Sequence, residues 1–330
     1  MSLADAFHGR NVLVTGGLGF LGSNLAIRLV RYGARVTLLD SLVPQFGGSF
    51  FNIAPVRDSV VLNISDMRDA NSLDILVQGR DYIFNLAGQV SHGDSMRDPQ
   101  LDLAVNCVST MNLVEACKKH NPEARLLYTS TRQVYGRPQS LPVNEDHPTV
   151  PIDVNGINKL AAEYYHLLYH GTYGIRSTVL RLTNTFGPRQ QIRSNRQGFA
   201  TVFLRQALRG ETVSLYGGGR QVRDFNYVDD VVGAMLLAIT TPACLGKVFN
   251  LGSERAYSLI EFVEVLGKFC KFKSESVPFP DDKKIIDIGD YFGDFSRFRA
   301  ATGWTPQVDL EEGLERTVAF YREHKEVYWQ

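Results

Sequence analysis

Thr15-Gly16-Gly17-Leu18-Gly19-Phe20-Leu21-Gly22 is the stretch that decides the fold. The apolar run before it, residues 11–15, reads as a short buried strand. After it Leu21, Leu25 and Leu29 recur every four residues, the stripe of an amphipathic helix, and Gly33 is its natural stop. Gly16, Gly19 and Gly22 form G-x-x-G-x-x-G between strand and helix, a variant of the dinucleotide fingerprint. Glycine is required because the turn is tight, the backbone must approach a pyrophosphate, and the helix must pack close to the strand. The helix N-terminus then faces the phosphates with its N–H groups and dipole.

Moving outward, residues 35–39 read as a second strand that ends at Asp40. A carboxylate there accepts hydrogen bonds from an adenosine ribose and repels a 2′-phosphate, which favours NAD over NADP. Asp66 and Met67 follow a third strand, residues 60–64, where an adenine ring would be flanked. Leu86, Ala87 and Gly88 end a fourth strand, residues 81–86, with small residues suited to a dinucleotide lying across the sheet edge. Further strands are expected at 125–129 and 176–182, with helices at 101–120 and 158–169. The alternation predicts an α/β fold, a Rossmann-type doubly wound parallel sheet covered on both faces. After Pro188 the pattern changes to helices near 199–209, 228–239, 258–269 and 310–322, separated by short strands and polar loops. We read residues 1–188 as an NAD-binding domain and 189–330 as a smaller mixed α/β substrate lobe, with some later chain returning to the first.

Composition bounds the partners. The 330 residues are 44% hydrophobic and 21% charged, which excludes a disordered or collagen-like chain. Lys plus Arg and Asp plus Glu are each 35, so no net charge draws the chain to nucleic acid or an anionic membrane. Cys107, Cys117, Cys244 and Cys270 are far apart, without metal-ligand spacing, and fit a reducing compartment. The first residues lack the apolar core of a signal peptide, and no run reaches the roughly 18 apolar residues of a membrane span. A cytoplasmic protein is expected, with no metal.

Several motifs stand in one order: the Thr15–Gly22 loop; Asn85–Gly88; Ser130-Thr131 followed by Val134-Tyr135-Gly136; and Lys159-Leu-Ala-Ala-Glu163. Arg181-Leu-Thr-Asn-Thr-Phe-Gly-Pro-Arg189, Arg223-Asp-Phe-Asn-Tyr-Val-Asp-Asp230 and Asn250-Leu-Gly-Ser253 complete the series. In these motifs the chain resembles the extended short-chain dehydrogenase/reductases, the NAD-dependent nucleotide-sugar epimerases and dehydratases typified by UDP-glucose 4-epimerase. The resemblance implies NAD as cofactor, touched by Gly16, Gly19, Phe20, Leu21 and Gly22, and a nucleotide-diphosphate sugar as substrate. It implies that Thr131 hydrogen-bonds the sugar oxygen at the oxidised carbon and that Lys159 holds the nicotinamide ribose. Asn184 and Arg223 match positions that contact the diphosphate. It also implies a homodimer, in which helices carrying Leu103, Cys107, Met111 and Val114, and Leu160, Tyr164 and Leu168, meet their symmetry mates.

Two departures are informative. The family signature Tyr-x-x-x-Lys places a tyrosine four residues before Lys159, where this chain has Asn155. An amide cannot deprotonate to act as a base. Lys159 itself, Tyr135 and His92 are the candidate substitutes; alternatively the reaction needs no strong base, or the protein binds a sugar nucleotide without turning it over. We favour an active enzyme with Lys159 as base. Dehydratases of the family carry an Asp-Glu pair directly after the threonine, where this chain has Arg132 and Gln133. A 4,6-dehydratase is therefore disfavoured, and Arg132 is suited to an anionic sugar substituent such as a carboxylate. His92, Arg132, Asn184 and Arg223 make up the expected substrate side, with Thr131, Asn155, Lys159 and Tyr135 as the expected catalytic group. The Arg that the family often places before a Gly-Asp is absent from Ile286-Asp-Ile-Gly-Asp290.

Overall fold

The computed structural model describes residues 2–194, 196 and 198–329. Its core is a sheet of parallel strands: β1 (Asn11–Thr15), β2 (Arg35–Asp40), β3 (Val60–Ile64), β4 (Tyr82–Asn85), β5 (Arg125–Thr131) and β6 (Arg176–Leu182), with Val248–Asn250 added beyond β6. The order across the sheet is β3, β2, β1, β4, β5, β6 and then Val248–Asn250. The order reverses at β1 and β4, so a crevice opens beyond their carboxyl ends, the usual place for a dinucleotide.

Alternation along β1 shows why both faces must be covered. Val12 and Val14 enter one core, with Leu25 and Leu29 of the helix Phe20–Arg31 and Val231 and Met235 of the helix Val228–Thr240. Leu13 enters the other, with Leu73, Leu113, Val114 and Tyr169. The chain after Pro188 is not confined to a second lobe, because Val248–Asn250 extends the main sheet and Val228–Thr240 packs on the Phe20–Arg31 helix. The smaller lobe is built on Val222–Tyr227, which pairs with Asn184–Phe186 and with Ala256–Ser258, and on Val213–Tyr216 paired with Ser274–Val277.

Two expected helices differ. The run 101–120 is three pieces: Pro99–Leu103, a widened π-helical turn Ala104–Val108, and Ser109–His120. The turn carries Asn106, whose side chain bonds both the backbone N–H and the carbonyl of Gln89. The other helix runs Val154–Tyr173 rather than starting at residue 158. Asp153 is its N-cap, accepting from the Gly156 N–H at 2.6 Å, and Gly174 ends it with φ +75. Asn155 therefore sits in the first helical turn. Of the expected dimer stripe, Cys107 and Val114 turn into the core, whereas Leu103, Tyr164 and Leu168 are exposed.

Candidate active site

One cleft of about 1060 Å³ runs along the carboxyl edge of the sheet, from the glycine loop to Arg223 in the smaller lobe. Its first half fits a dinucleotide. Gly16 has φ +66, and a Cβ there would lie 2.9 Å from the Ala87 Cα. A Cβ on Gly22 would lie 2.1 Å from the Gly16 carbonyl oxygen, so the close approach of loop and helix requires glycine. No side chain caps the Phe20–Arg31 helix, and its first residues, Phe20, Leu21 and Gly22, line the cleft. That is the geometry of a phosphate site.

Asp40 lines the same wall and fixes the loop, accepting from the Leu18 and Leu42 N–H groups at 2.9 Å each. Burial pushes its carboxyl above the usual range, and those two bonds pull it back in part. Thr15 ties the loop to β4 by accepting from the Leu86 and Ala87 N–H groups. Asp66 and Met67 line the cleft beyond; the Asp66 carboxylate is engaged by Arg68, which holds it below its ordinary value.

Past Gly88, Lys159, Thr131 and Asn155 of the expected catalytic group gather. Lys159 is 7% exposed; its ammonium donates to the Thr129 carbonyl at 3.3 Å and lies against Gly88. Burial brings it down to about 8, although Asp102 and Glu163 pull the other way. Thr131 lines the cleft, and its Oγ1 accepts from the Gln133 N–H, which leaves the hydroxyl proton for a substrate oxygen. Asn155 is turned inward. Its amide donates to the Gln89 carbonyl at 2.9 Å and to Asp102 at 3.3 Å, while Asn158 donates to the other Asp102 oxygen at 2.8 Å.

Tyr135 is a correction. It does not line the cleft; it is 1% exposed, donates to Asn250 at 2.7 Å and accepts from Arg181 at 2.8 Å. Arg181 is in turn locked onto Glu163 in a buried pair. The phenol joins the sheet edge to the segment after Thr131 and is held away from the cleft by Asn250 and Arg181; burial pushes its pKa up, and Arg181 pulls it back in part.

His92, Arg132, Asn184 and Arg223 all line the other half of the cleft. His92 Nδ1 stands 2.9 Å from the carboxylate of Asp153. Burial pushes Asp153 up, but His92, the Gly156 N–H and the Gln133 amide outweigh it and hold the group below its ordinary range. Asn184 donates to the Asp224 carbonyl. Arg223 is buried, donates to the Val222 carbonyl at 2.9 Å and to the Gly289 carbonyl, and is brought down to about 10, chiefly by burial. Arg132 lies over the Tyr291 ring, its Nε buried without a partner among the described residues. Burial lowers its pKa too. Two guanidinium groups thus face this end of the cleft; Arg223 pairs loosely with Asp287 at 3.7 Å, and Asp224, Asp287 and Asp153 act on the charge of Arg132.

Gln89, Asp102, Gln133 and Asp153 were not expected from the sequence. Asp153 alone had a readable signal, a helix-capping residue directly before the Val154 helix. Among the described residues no group of three or more His, Cys, Asp or Glu is placed to hold a metal ion, and no helix is long and apolar enough to cross a membrane.

This is a dinucleotide-type cleft on a Rossmann-type fold, and the sequence comparison gives its family. Residues 12–252 match the NAD dependent epimerase/dehydratase family, so the chain belongs to that family, and its cofactor is NAD. It is 33% identical over 313 residues to the UDP-glucose 4-epimerase of Mycolicibacterium smegmatis, covering 94% of this chain and 98% of that protein. A dTDP-glucose 4,6-dehydratase of the same bacterium is 31% identical over 326 residues, covering 97% and 95%. The UDP-glucose 4-epimerase of Thermotoga maritima, solved with UDP-glucose, superposes with a TM-score of 0.88 at 31% identity, over 96% of this chain and 99% of that one.

Proposed function

We propose that this protein is an NAD-dependent nucleotide-sugar epimerase, or a closely related oxidoreductase, that works through a transient keto sugar. The observation that carries the reading is the single cleft in which the glycine loop, Lys159, Thr131, Arg132 and Arg223 follow one another. The glycine loop, Asp40 and Lys159 would hold the dinucleotide. When bound, its nicotinamide supplies a hydride acceptor that later returns the hydride to the same sugar carbon. Thr131 would donate a hydrogen bond from its hydroxyl to the sugar oxygen, and Lys159 would hold the ribose and supply positive charge near it. Arg223 and Asn184 stand where the diphosphate would lie, and Arg132 favours an anionic group on the sugar.

Dehydration is disfavoured because Arg132 and Gln133 follow Thr131, and the Gln133 amide is already committed to Asp153. The rearranged Asn155 supports a rebuilt active site rather than a damaged one, since its amide is engaged on both sides. The alternative, a protein that binds sugar nucleotides without turnover, has no separate observation in its favour. We place the enzyme in the cytoplasm, supported by four buried unpaired cysteines, and infer a homodimer, supported by exposed Leu103, Ile157, Tyr164 and Leu168 on adjacent helices.

The test is a panel of UDP-glucose, UDP-N-acetylglucosamine, UDP-glucuronate, GDP-mannose, CDP-glucose and dTDP-glucose incubated with the purified protein and NAD. Proton NMR of the sugar should reveal an epimer from at least one, with UDP-glucuronate favoured by Arg132. Failure to convert any of them refutes the reading.

A further inference from the structure

We propose that the imidazole of His92, oriented by the buried carboxylate of Asp153, is the group that takes the proton from the sugar hydroxyl and gives it back. The inference rests on the epimerase reading above and adds to it the residue that replaces the missing tyrosine.

His92 opens the short helix His92–Arg97 after the carboxyl end of β4. Ser91 caps that helix by accepting from the Asp94 N–H, and Ser95 donates to the His92 carbonyl at 2.7 Å, so the backbone under the imidazole is fixed. The ring lines the cleft with 36% of its side chain exposed, and its Nδ1 is 2.9 Å from Asp153 Oδ2. Asp153 is 2% exposed and held from two further sides, by the Gly156 N–H at 2.6 Å and the Gln133 amide at 2.8 Å. The N–H of the same Gln133 donates to Thr131 Oγ1 at 3.2 Å. A continuous run of contacts therefore joins the imidazole to the threonine that marks the reacting carbon.

A carboxylate against one ring nitrogen keeps the proton there and leaves the lone pair on the other. Nδ1 faces Asp153 Oδ2 at 2.9 Å as an ion-pair contact that lacks hydrogen-bond alignment in this rotamer, and Nε2 has no protein partner among the described residues. The other candidates are committed elsewhere. Asn155 is not titratable and faces Gln89 and Asp102. Tyr135 is sealed behind Asn250 and Arg181. Lys159 aims its ammonium at the Thr129 carbonyl below Gly88, on the dinucleotide side.

The bookkeeping of the step is simple. The sugar O–H bond breaks toward Nε2, its electron pair becomes the second bond of the carbonyl, and the C–H pair leaves as hydride to the nicotinamide. Reversal delivers hydride to the carbon, and the imidazolium returns its proton to the oxygen. Asp153 is the positioning residue. The other charged groups around the imidazole are Asp94 on its own helix, paired with Arg97 and Arg196; Asp102 on Pro99–Leu103, held by Asn155 and Asn158; Asp98, which caps that helix; and Lys159 on the Val154–Tyr173 helix.

The test has two arms. Nitrogen-15 NMR of histidine-labelled protein, with the His92 signals assigned by their loss in His92→Asn, reads the tautomer without any substrate. The expected neutral form carries its proton on Nδ1; an Nε2–H tautomer overturns the proposal. In the second arm, turnover uses the panel sugar nucleotide converted fastest. His92→Ala should lower kcat by about 10²–10⁴-fold with NAD affinity by calorimetry unchanged, and added imidazole should restore activity in proportion to its concentration. Asp153→Asn, which keeps the helix cap, should lower kcat and shift the pH profile. A His92→Ala enzyme within threefold of the wild type overturns the assignment. No turnover by the wild type defeats the epimerase reading instead, and the tautomer then judges His92 by itself.

Discussion

Replacing Lys159 by Met should stabilise the protein while abolishing turnover. The ammonium is buried and lies at about 8 rather than the ordinary 10.5. That difference corresponds to roughly 3 kcal/mol of unfavourable free energy for the charged form in the folded chain. Between about pH 8 and 10.5 the unfolded chain binds more protons at this site than the folded one, so stability rises with pH through that window. The penalty is fully present below about pH 8 and is gone above about 10.5. A methionine of similar length carries no such penalty. With an unfolding entropy of about 2.1 cal/mol/K per residue over the chain, 3 kcal/mol moves the midpoint by roughly 4 °C. The assay is scanning calorimetry of both proteins, stripped of dinucleotide, from pH 6.5 to 10. Lys159→Met should melt higher at neutral pH, and the gap should close as pH rises. A variant that melts lower at pH 7, or a gap that does not change with pH, refutes the reasoning. Turnover should vanish in the variant because the ribose clamp and its positive charge are lost. Retained full activity would free Lys159 of any catalytic part.

Four further outcomes follow from the same geometry. Gly22→Ala puts a Cβ against the Gly16 carbonyl, which should cost about 1–3 kcal/mol of NAD binding, read by calorimetry. Asp40→Ala should weaken NAD binding about tenfold or more and narrow the preference for NAD over NADP; tighter NADP binding by the wild type would contradict the role given to Asp40. Asn155→Tyr removes the amide bonds to Gln89 and Asp102, so it should destabilise the protein by about 1–3 kcal/mol without raising turnover, as measured by urea unfolding and the sugar panel. Sedimentation velocity at micromolar concentration should give a dimer, and the double change Tyr164→Glu with Leu168→Glu should give a monomer.

The fold was legible where the signal is local. β1, the glycine loop and the leucine stripe lie within a single stretch of chain, and each has a period or a steric requirement of its own. Asp40 was legible because its place is fixed by the end of one strand. The catalytic half was less so, because its meaning lies in contacts between distant segments. Tyr135 follows Thr131 closely in sequence, yet Asn250 and Arg181 decide that its phenol is structural. His92 reads as an ordinary loop histidine until Asp153 is brought against it from the start of another helix. The early start of that helix was missed because Asn155-Gly156-Ile157-Asn158 reads as a polar turn. Gly156 in fact lets the first turn pack against the Gln133 carbonyl, where a Cβ would approach to 2.9 Å.

The asparagine at 155 then acquires a physical reason that concerns Lys159. Asp102 is completely buried, and a buried carboxylate needs donors. Asn155 and Asn158 supply one to each of its oxygens, from the same helical turns that carry Lys159. The charge kept there pulls the Lys159 ammonium back toward its charged form against the burial that opposes it. A tyrosine at 155 would bring one hydroxyl in place of an amide that bridges Asp102 and the Gln89 carbonyl. The residue that cannot accept a proton is thus tied into the electrostatics of the lysine beneath the dinucleotide site. Proton transfer falls to His92, which meets Asp153 at the start of the same helix.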